Sequence, residues 1–246
     1  MRLAAAYLAA LLCLAGCADS DGATTAGDDR GAGVGALGAD ARVATLARAS
    51  LRAPPPADAV WVADEFRLTP GRMLGRGGEF AFVYARSGEV VLQHSGASQP
   101  LAEGEAAAGA GRRGYSAEKD ATTVWEIRLA SRGSPVPKGA RRLFESAPLE
   151  GLPERPALSF LSVTVPPRGG RTTVHTHPGP ELVYELSGTI DYQNALIGTR
   201  RLGPGGLEGI PADTPVQKRN PYRQPAVFLS WFALDPDEPF ASKASF

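Results

Sequence analysis

From Ala59 onward the chain reads as short runs rich in β-branched and aromatic residues, broken by Gly, Pro and polar turns about every ten residues. Examples are Glu79-Phe-Ala-Phe-Val-Tyr, Thr123-Val-Trp-Glu-Ile-Arg-Leu, Leu158-Ser-Phe-Leu-Ser-Val-Thr-Val, Leu182-Val-Tyr-Glu-Leu and Ala226-Val-Phe-Leu-Ser-Trp-Phe. No segment in this region keeps a 3.6-residue apolar period long enough for a core helix. A chain so punctuated is all-β, a sandwich or a barrel.

The pattern also repeats. Ser187-Gly188-Thr-Ile, then Leu202-Gly-Pro-Gly205-Gly206, then the run at Ala226–Leu234 form one series. Ser87-Gly88-Glu-Val, then Leu101-Ala-Glu-Gly104-Glu105, then Thr123–Leu129 form another at nearly equal spacing. Two copies of a small barrel account for residues 59–240 without a long structureless loop. The expected division is one half over 59–150 and a second over 151–246.

The N-terminal region has a different character. Arg2 precedes an apolar run, Leu3 to Leu12, too short to span a bilayer, and Leu14-Ala-Gly-Cys17 closes it. This arrangement resembles the lipobox of bacterial lipoproteins. The resemblance implies a signal peptide over 1–16, cleavage before Cys17, lipidation of that cysteine and a lipid-anchored location in the cell envelope. In a cell with two membranes, Ala18 implies the outer one. Residues 17–58, rich in Gly, Ala, Asp and Thr and ending in Pro54-Pro-Pro56, are expected to form a flexible tether, with at most a weak helix over 40–51. The only cysteines are Cys13 and Cys17, so a domain cut from this chain is held by its core and not by a disulfide. Lys plus Arg (26) equals Asp plus Glu (26), which gives no electrostatic reason to expect nucleic acid or an acidic membrane surface as partner.

The segment with the most chemistry is Gly169-Gly-Arg-Thr-Thr-Val-His175-Thr-His177-Pro-Gly-Pro-Glu181-Leu-Val-Tyr-Glu-Leu-Ser-Gly188. Residues two apart on a strand share a face, so His175 and His177 present both imidazoles to one side. Pro178-Gly-Pro180 turns the chain, and Glu181 returns to the same side. Two imidazoles and a carboxylate suit a divalent transition metal: Fe, Mn, Ni, Cu or Zn.

These residues and spacings resemble the first motif of the cupin superfamily, which implies a double-stranded β-helix, or jelly-roll barrel. With the repeat, the implied architecture is a bicupin with a degenerate N-terminal half. The second cupin motif is matched by Gly205, Pro211 and Asn220, but Val216 stands where the family has its third histidine, and Asp213 replaces a turn glycine. Valine ligates nothing. Three outcomes stay open: a three-ligand metal site, a fourth ligand from Gln217 or Asp213 after a register slip, or a metal-free site that binds a polar ligand. In the first half no His-x-His precedes Glu79, and Tyr115 lies near the second motif's histidine position.

By alternation, Arg171 and Thr173 share a face with His175, Glu185 with Glu181, and Lys218 with Val216. Arg171, Thr173 and Lys218 are candidate substrate contacts. Glu185 is a candidate general base, or a partner for Lys218. The resemblance leaves two functions: a metal-dependent enzyme of the dioxygenase kind acting on a small organic molecule, or a non-catalytic module binding a sugar or organic acid. Homodimerisation through strand edges is compatible with either.

Overall fold

The computed structural model describes residues 37–246 apart from Arg52 and Glu79. The expected signal segment and Cys17 lie outside the described residues. The described residues hold twenty strands and no helix. β1 (Arg42–Ser50) comes first. It is followed by β2 (Ala59–Leu68), β3 (Met73–Arg76), β4 (Ala81–Ser87), β5 (Val90–His94), β6 (Ala97–Leu101), β7 (Ala106–Gly109), β8 (Arg113–Ala117), β9 (Thr122–Ser131) and β10 (Ala140–Glu145). The second series is β11 (Ala157–Val165), β12 (Gly170–Arg171), β13 (His175–Thr176), β14 (Glu181–Ser187) and β15 (Ile190–Asn194). It continues with β16 (Gly198–Leu202), β17 (Leu207–Ile210), β18 (Val216–Asn220), β19 (Ala226–Leu234) and β20 (Ser242–Lys243).

The two series build the same object twice. In the first, a sheet ordered β10-β2-β9-β4-β7 closes over a sheet ordered β3-β8-β5-β6. In the second, β1-β11-β19-β14-β17 closes over β16-β15-β18-β13-β20, with β12 also on β18. β4 and β14 start one hundred residues apart, as do β5 and β15. The expected all-β jelly roll in two tandem copies is what the chain forms.

Three apolar layers hold it together. Val83, Leu92, Tyr115 and Val124 fill the first barrel, and Leu161, Val183, Tyr192 and Phe228 fill the second. Between the barrels the five-stranded sheets meet face to face through Trp61, Phe82, Trp125, Phe160 and Trp231. Phe160 stacks on Trp231 with centroids 5.2 Å apart, and Phe82 lies 5.5 Å from Phe160. Central strands therefore bury both faces: on β14, Val183 points into the second barrel and Leu182 into the layer between barrels. This is why β4, β9, β14 and β19 read as nearly unbroken apolar runs rather than alternating ones.

The segment expected to be a flexible tether or weak helix is corrected in part. Residues 42–50 form β1, which pairs antiparallel with β11 at the edge of the second barrel's sheet. The register slips between Thr45 and Ala47. That bulge breaks the period of two, and only one side of the strand is paired, so few apolar residues are required of it.

The first barrel's lumen also departs from expectation. Strand register places Arg113, not Tyr115, opposite the residue equivalent to Asn194, because His94 faces Arg113 as Asn194 faces Val216. Tyr115 takes the place of Lys218, Arg76 that of His175, and Ala81 that of Glu181. At the centre sits Glu126, fully buried. Arg76 donates to both of its oxygens at 2.9 and 3.2 Å, Tyr115 donates its hydroxyl, and an Arg113 nitrogen lies 3.5 Å away. Burial alone would raise the Glu126 pKa, but the bonds from Arg76 and Tyr115 and the charge of Arg113 outweigh it and hold the carboxyl below its usual range. Removing one member of such a buried set strands the others. Glu126→Ala is therefore expected to lower the free energy of unfolding by about 3–5 kcal/mol in urea denaturation, more than truncation of any exposed carboxylate.

Candidate metal centre

β12 pairs with the far end of β18, Arg171 opposite Arg219. The chain then leaves the ladder through residues 172–174 and rejoins it at β13, where His175 sits between Val216 and Lys243. Residues 178–180 turn the chain into β14. Gly179 is required there, because a Cβ at that position would collide with the Ala233 carbonyl. The donor atoms of His175, His177 and Glu181 converge within 4.8 Å of one another, and all three residues are buried.

The histidine tautomers follow from their neighbours. Nδ1 of His175 lies 2.8 Å from the Thr173 carbonyl, and Nδ1 of His177 lies 2.7 Å from the Phe240 carbonyl. A carbonyl only accepts, so each Nδ1 carries the proton and each Nε2 keeps a lone pair facing the lumen. Backbone carbonyls orient metal-binding imidazoles in this way. Burial above all, then the nearby Lys218, keeps both rings neutral and pushes His175 down to about 3. Nε2 of His177 is buried without a hydrogen-bond partner and faces a Glu181 oxygen at 3.6 Å. Two acceptors so placed repel unless a proton or cation lies between them, and a divalent metal fits this donor set.

One cation is already present. Lys218 reaches across the lumen to both Glu181 oxygens at 2.9 and 3.1 Å, and the Ser230 hydroxyl donates to the same carboxylate at 2.9 Å. Burial would raise the Glu181 pKa, but Lys218 and the two histidines outweigh it and hold the carboxyl low. The ammonium balances the carboxylate's charge and leaves the His177 lone pair unmet.

The other sequence candidates separate. Lys218 belongs to the centre, although its partner is Glu181 rather than Glu185. Arg171 is exposed and does not line the cavity, and Thr173 spends its N–H on the Leu37 carbonyl. Thr172 is the inward residue instead, because the irregular link between β12 and β13 shifts the parity by one. Gln217 donates to the Thr172 carbonyl, and Val216 is fully buried in the apolar lumen. Asp213 takes the left-handed backbone (φ 57°) of the glycine it replaces. Asn220 donates to the Val165 and Gln224 carbonyls and accepts from the Tyr222 N–H, which gives it a structural role. Ser230, Thr172 and the Phe240 carbonyl escaped the sequence reading. Thr172 lies within the motif but on the parity that regular alternation turns outward, whereas Ser230 and Phe240 are brought to the motif only by the fold.

The space around the donors is a cavity of about 10 Å³, room for one water-sized occupant. A larger groove of about 540 Å³ lies on the outer side of β13, lined by Thr176, Asp213, Asp235 and Glu238, and contains none of the three donors.

Glu185 sits deeper in the same lumen with both carboxyl oxygens buried and unpartnered. Burial pushes its pKa up to about 8, so the folded chain holds it protonated at neutral pH. The unfolded chain releases that proton near the ordinary value of 4.5. The folded state therefore binds more protons between these values, and stability falls as pH rises through this window, by about 1 kcal/mol per unit. Glu185→Gln is expected to flatten that alkaline loss, measured as melting temperature against pH from 5 to 9; an unchanged slope refutes the assignment.

No protein-family model matches this sequence, and no curated protein does. Solved structures do. The chain is similar to an oxalate decarboxylase from Lactobacillus farciminis, with a TM-score of 0.57 at 12% identity over 84% of this chain and 87% of that one. It is similar to the oxalate decarboxylase from Bacillus subtilis at 0.53 and 16% identity, over 82% of this chain and 73% of that one. A DMSP lyase from Ruegeria pomeroyi is 26% identical over 35% of this chain, with a TM-score of 0.33; that match spans 43% of the lyase. At these identities the two decarboxylases speak to fold alone. Their likeness over most of the chain, with the paired jelly rolls and the inward His-His-Glu cluster, shows that this chain has the cupin fold.

Proposed function

We propose that this chain is an envelope-anchored bicupin whose second barrel holds one divalent transition metal on His175, His177 and Glu181 and presents it to a small organic acid. The observation that carries the reading is the pair of neutral imidazoles, each fixed through Nδ1 to a backbone carbonyl, with the buried Nε2 of His177 unmet. A bound metal would supply a Lewis acid with open coordination positions, since the chain offers three ligands. Lys218, which lines the same cavity, would serve as a cation for the acid's carboxylate, while the single Ser230 hydroxyl proton stays on Glu181. Oxalate, a small dicarboxylate, is the substrate named for both decarboxylases of similar fold. The first barrel is structural: Arg76 and Arg113 stand where ligands would be needed and repel a cation. Oxygenase chemistry on a small organic molecule is the enzymatic form of this proposal. The lipid anchor at Cys17 accounts for the leader-like N-terminus.

A second reading is supported by the Lys218–Glu181 bond itself. A buried ammonium in contact with both carboxylate oxygens does a metal's electrostatic work. The second barrel would then be a metal-free, non-catalytic binder of a small acid or sugar.

Metal analysis separates the two. The untagged protein, purified without chelators, is expected to carry close to one equivalent of Fe, Mn, Ni, Cu or Zn, and His175→Ala is expected to carry none. Lack of metal after reconstitution defeats the first reading. Because Lys218 competes for Glu181, Lys218→Met is expected to tighten metal binding by about tenfold in a titration while weakening carboxylate binding. Weaker metal binding in Lys218→Met would show that the ammonium supports the metal rather than competes with it.

A further inference from the structure

The 10 Å³ cavity admits no organic ligand, so something must move before the centre can meet one. Its walls are unequal in this respect. Leu161 and Val163 stand on β11, which is paired on both sides, as is β19, which carries Phe228, Ser230 and Phe232. Lys218 stands on β18, also paired on both sides. Two lining residues, Leu37 and Val43, belong to the N-terminal segment. β1 is the edge strand of its sheet, none of its residues is fully buried, and a bulge already interrupts its ladder. Ahead of it, Thr173 donates its N–H to the Leu37 carbonyl at 3.1 Å with its hydroxyl 3.5 Å from the same oxygen, and Asp40 donates to the Arg171 carbonyl at 3.1 Å. Leu37 is 6% exposed, an apolar plug on a weakly tied strap.

We propose that residues 37–44, ahead of the bulge, are a lid on the second barrel, and that a small ligand reaches His175, His177 and Lys218 only when this strap lifts. Lifting it as far as the bulge breaks only the first part of the β1–β11 ladder, while Leu46, Ala47 and Ala49, at and beyond the bulge, stay packed against the core between the barrels. Edge segments with few buried contacts open at the lowest free-energy cost in a fold. The gap left by Leu37 and Val43 has Leu161 and Val163 on one side and Lys218 on the other, so it suits an acid with an apolar body. The choice of an acid rests on the function proposed above, whereas the opening of the strap does not.

The test reads access to the histidines directly. In the untagged full-length chain, Cys13→Ser, Cys17→Ser and His94→Gln leave His175 and His177 as the only histidines and remove both native thiols. Val43→Cys and Val163→Cys are then added at directly opposed positions of the β1–β11 ladder, within reach of a disulfide. With chelator present, diethylpyrocarbonate modification of the two imidazoles is followed in oxidised and reduced protein. The disulfide is expected to slow modification by about tenfold, and reduction to restore it. Equal rates in the two forms overturn the lid. Deleting residues 1–41 removes Leu37 but keeps β1, and is expected to speed modification by a similar factor; an unchanged rate also counts against the lid. Cobalt(II) uptake by the same proteins tests the metal separately. If cobalt does not bind while the disulfide still protects the histidines, the metal reading fails and the lid stands.

Discussion

The contact between the two five-stranded sheets governs the rest of the molecule. Trp61, Phe82, Phe160 and Trp231 fill the space between barrels, so the central strands of each sheet have no face left for water. Each inward polar residue on those strands must then find its partner inside a barrel or stay uncharged. Glu126 meets Arg76 and Tyr115, Glu181 meets Lys218 and Ser230, and Glu185, which meets no one, keeps its proton. The polar chemistry of both lumens follows from that dry layer.

The barrels show two solutions to one positional problem. Where the second places His175, Val216, Lys218 and Glu181, the first places Arg76, Arg113, Tyr115 and Ala81. The first set closes on an internal carboxylate with its hydrogen bonds made. The second stays incomplete, because the ammonium satisfies the carboxylate and leaves an imidazole lone pair unanswered. An incomplete buried polar set costs stability, and that cost is sustained where a ligand completes the set.

Local spacing carried the fold and the three donors. His175, His177 and Glu181 fall within seven residues of one another, and a strand, a turn and a strand suffice to aim them inward. What depends on register across strands did not show. The Lys218–Glu181 bond spans 37 residues and requires β18 and β14 to face each other across a lumen. Thr172 displaced Arg171 because three irregular residues between β12 and β13 shift the parity, and no side-chain pattern announces such a slip. β1 was missed for a related reason: its bulge and single paired edge let an Ala-rich sequence pass for a tether.

That strand also has a consequence for how the molecule is made. Arg42 lies opposite Thr164, so β1 leaves the ribosome long before its partner, with the whole first barrel made between them. Until β11 follows, β1 has no ladder to join, and the closing of so long a loop is a slow step. Meanwhile any β11 whose own β1 has not arrived offers an open edge to a neighbouring chain. Crowded synthesis favours such stray pairing, and dilute refolding favours closure within one chain.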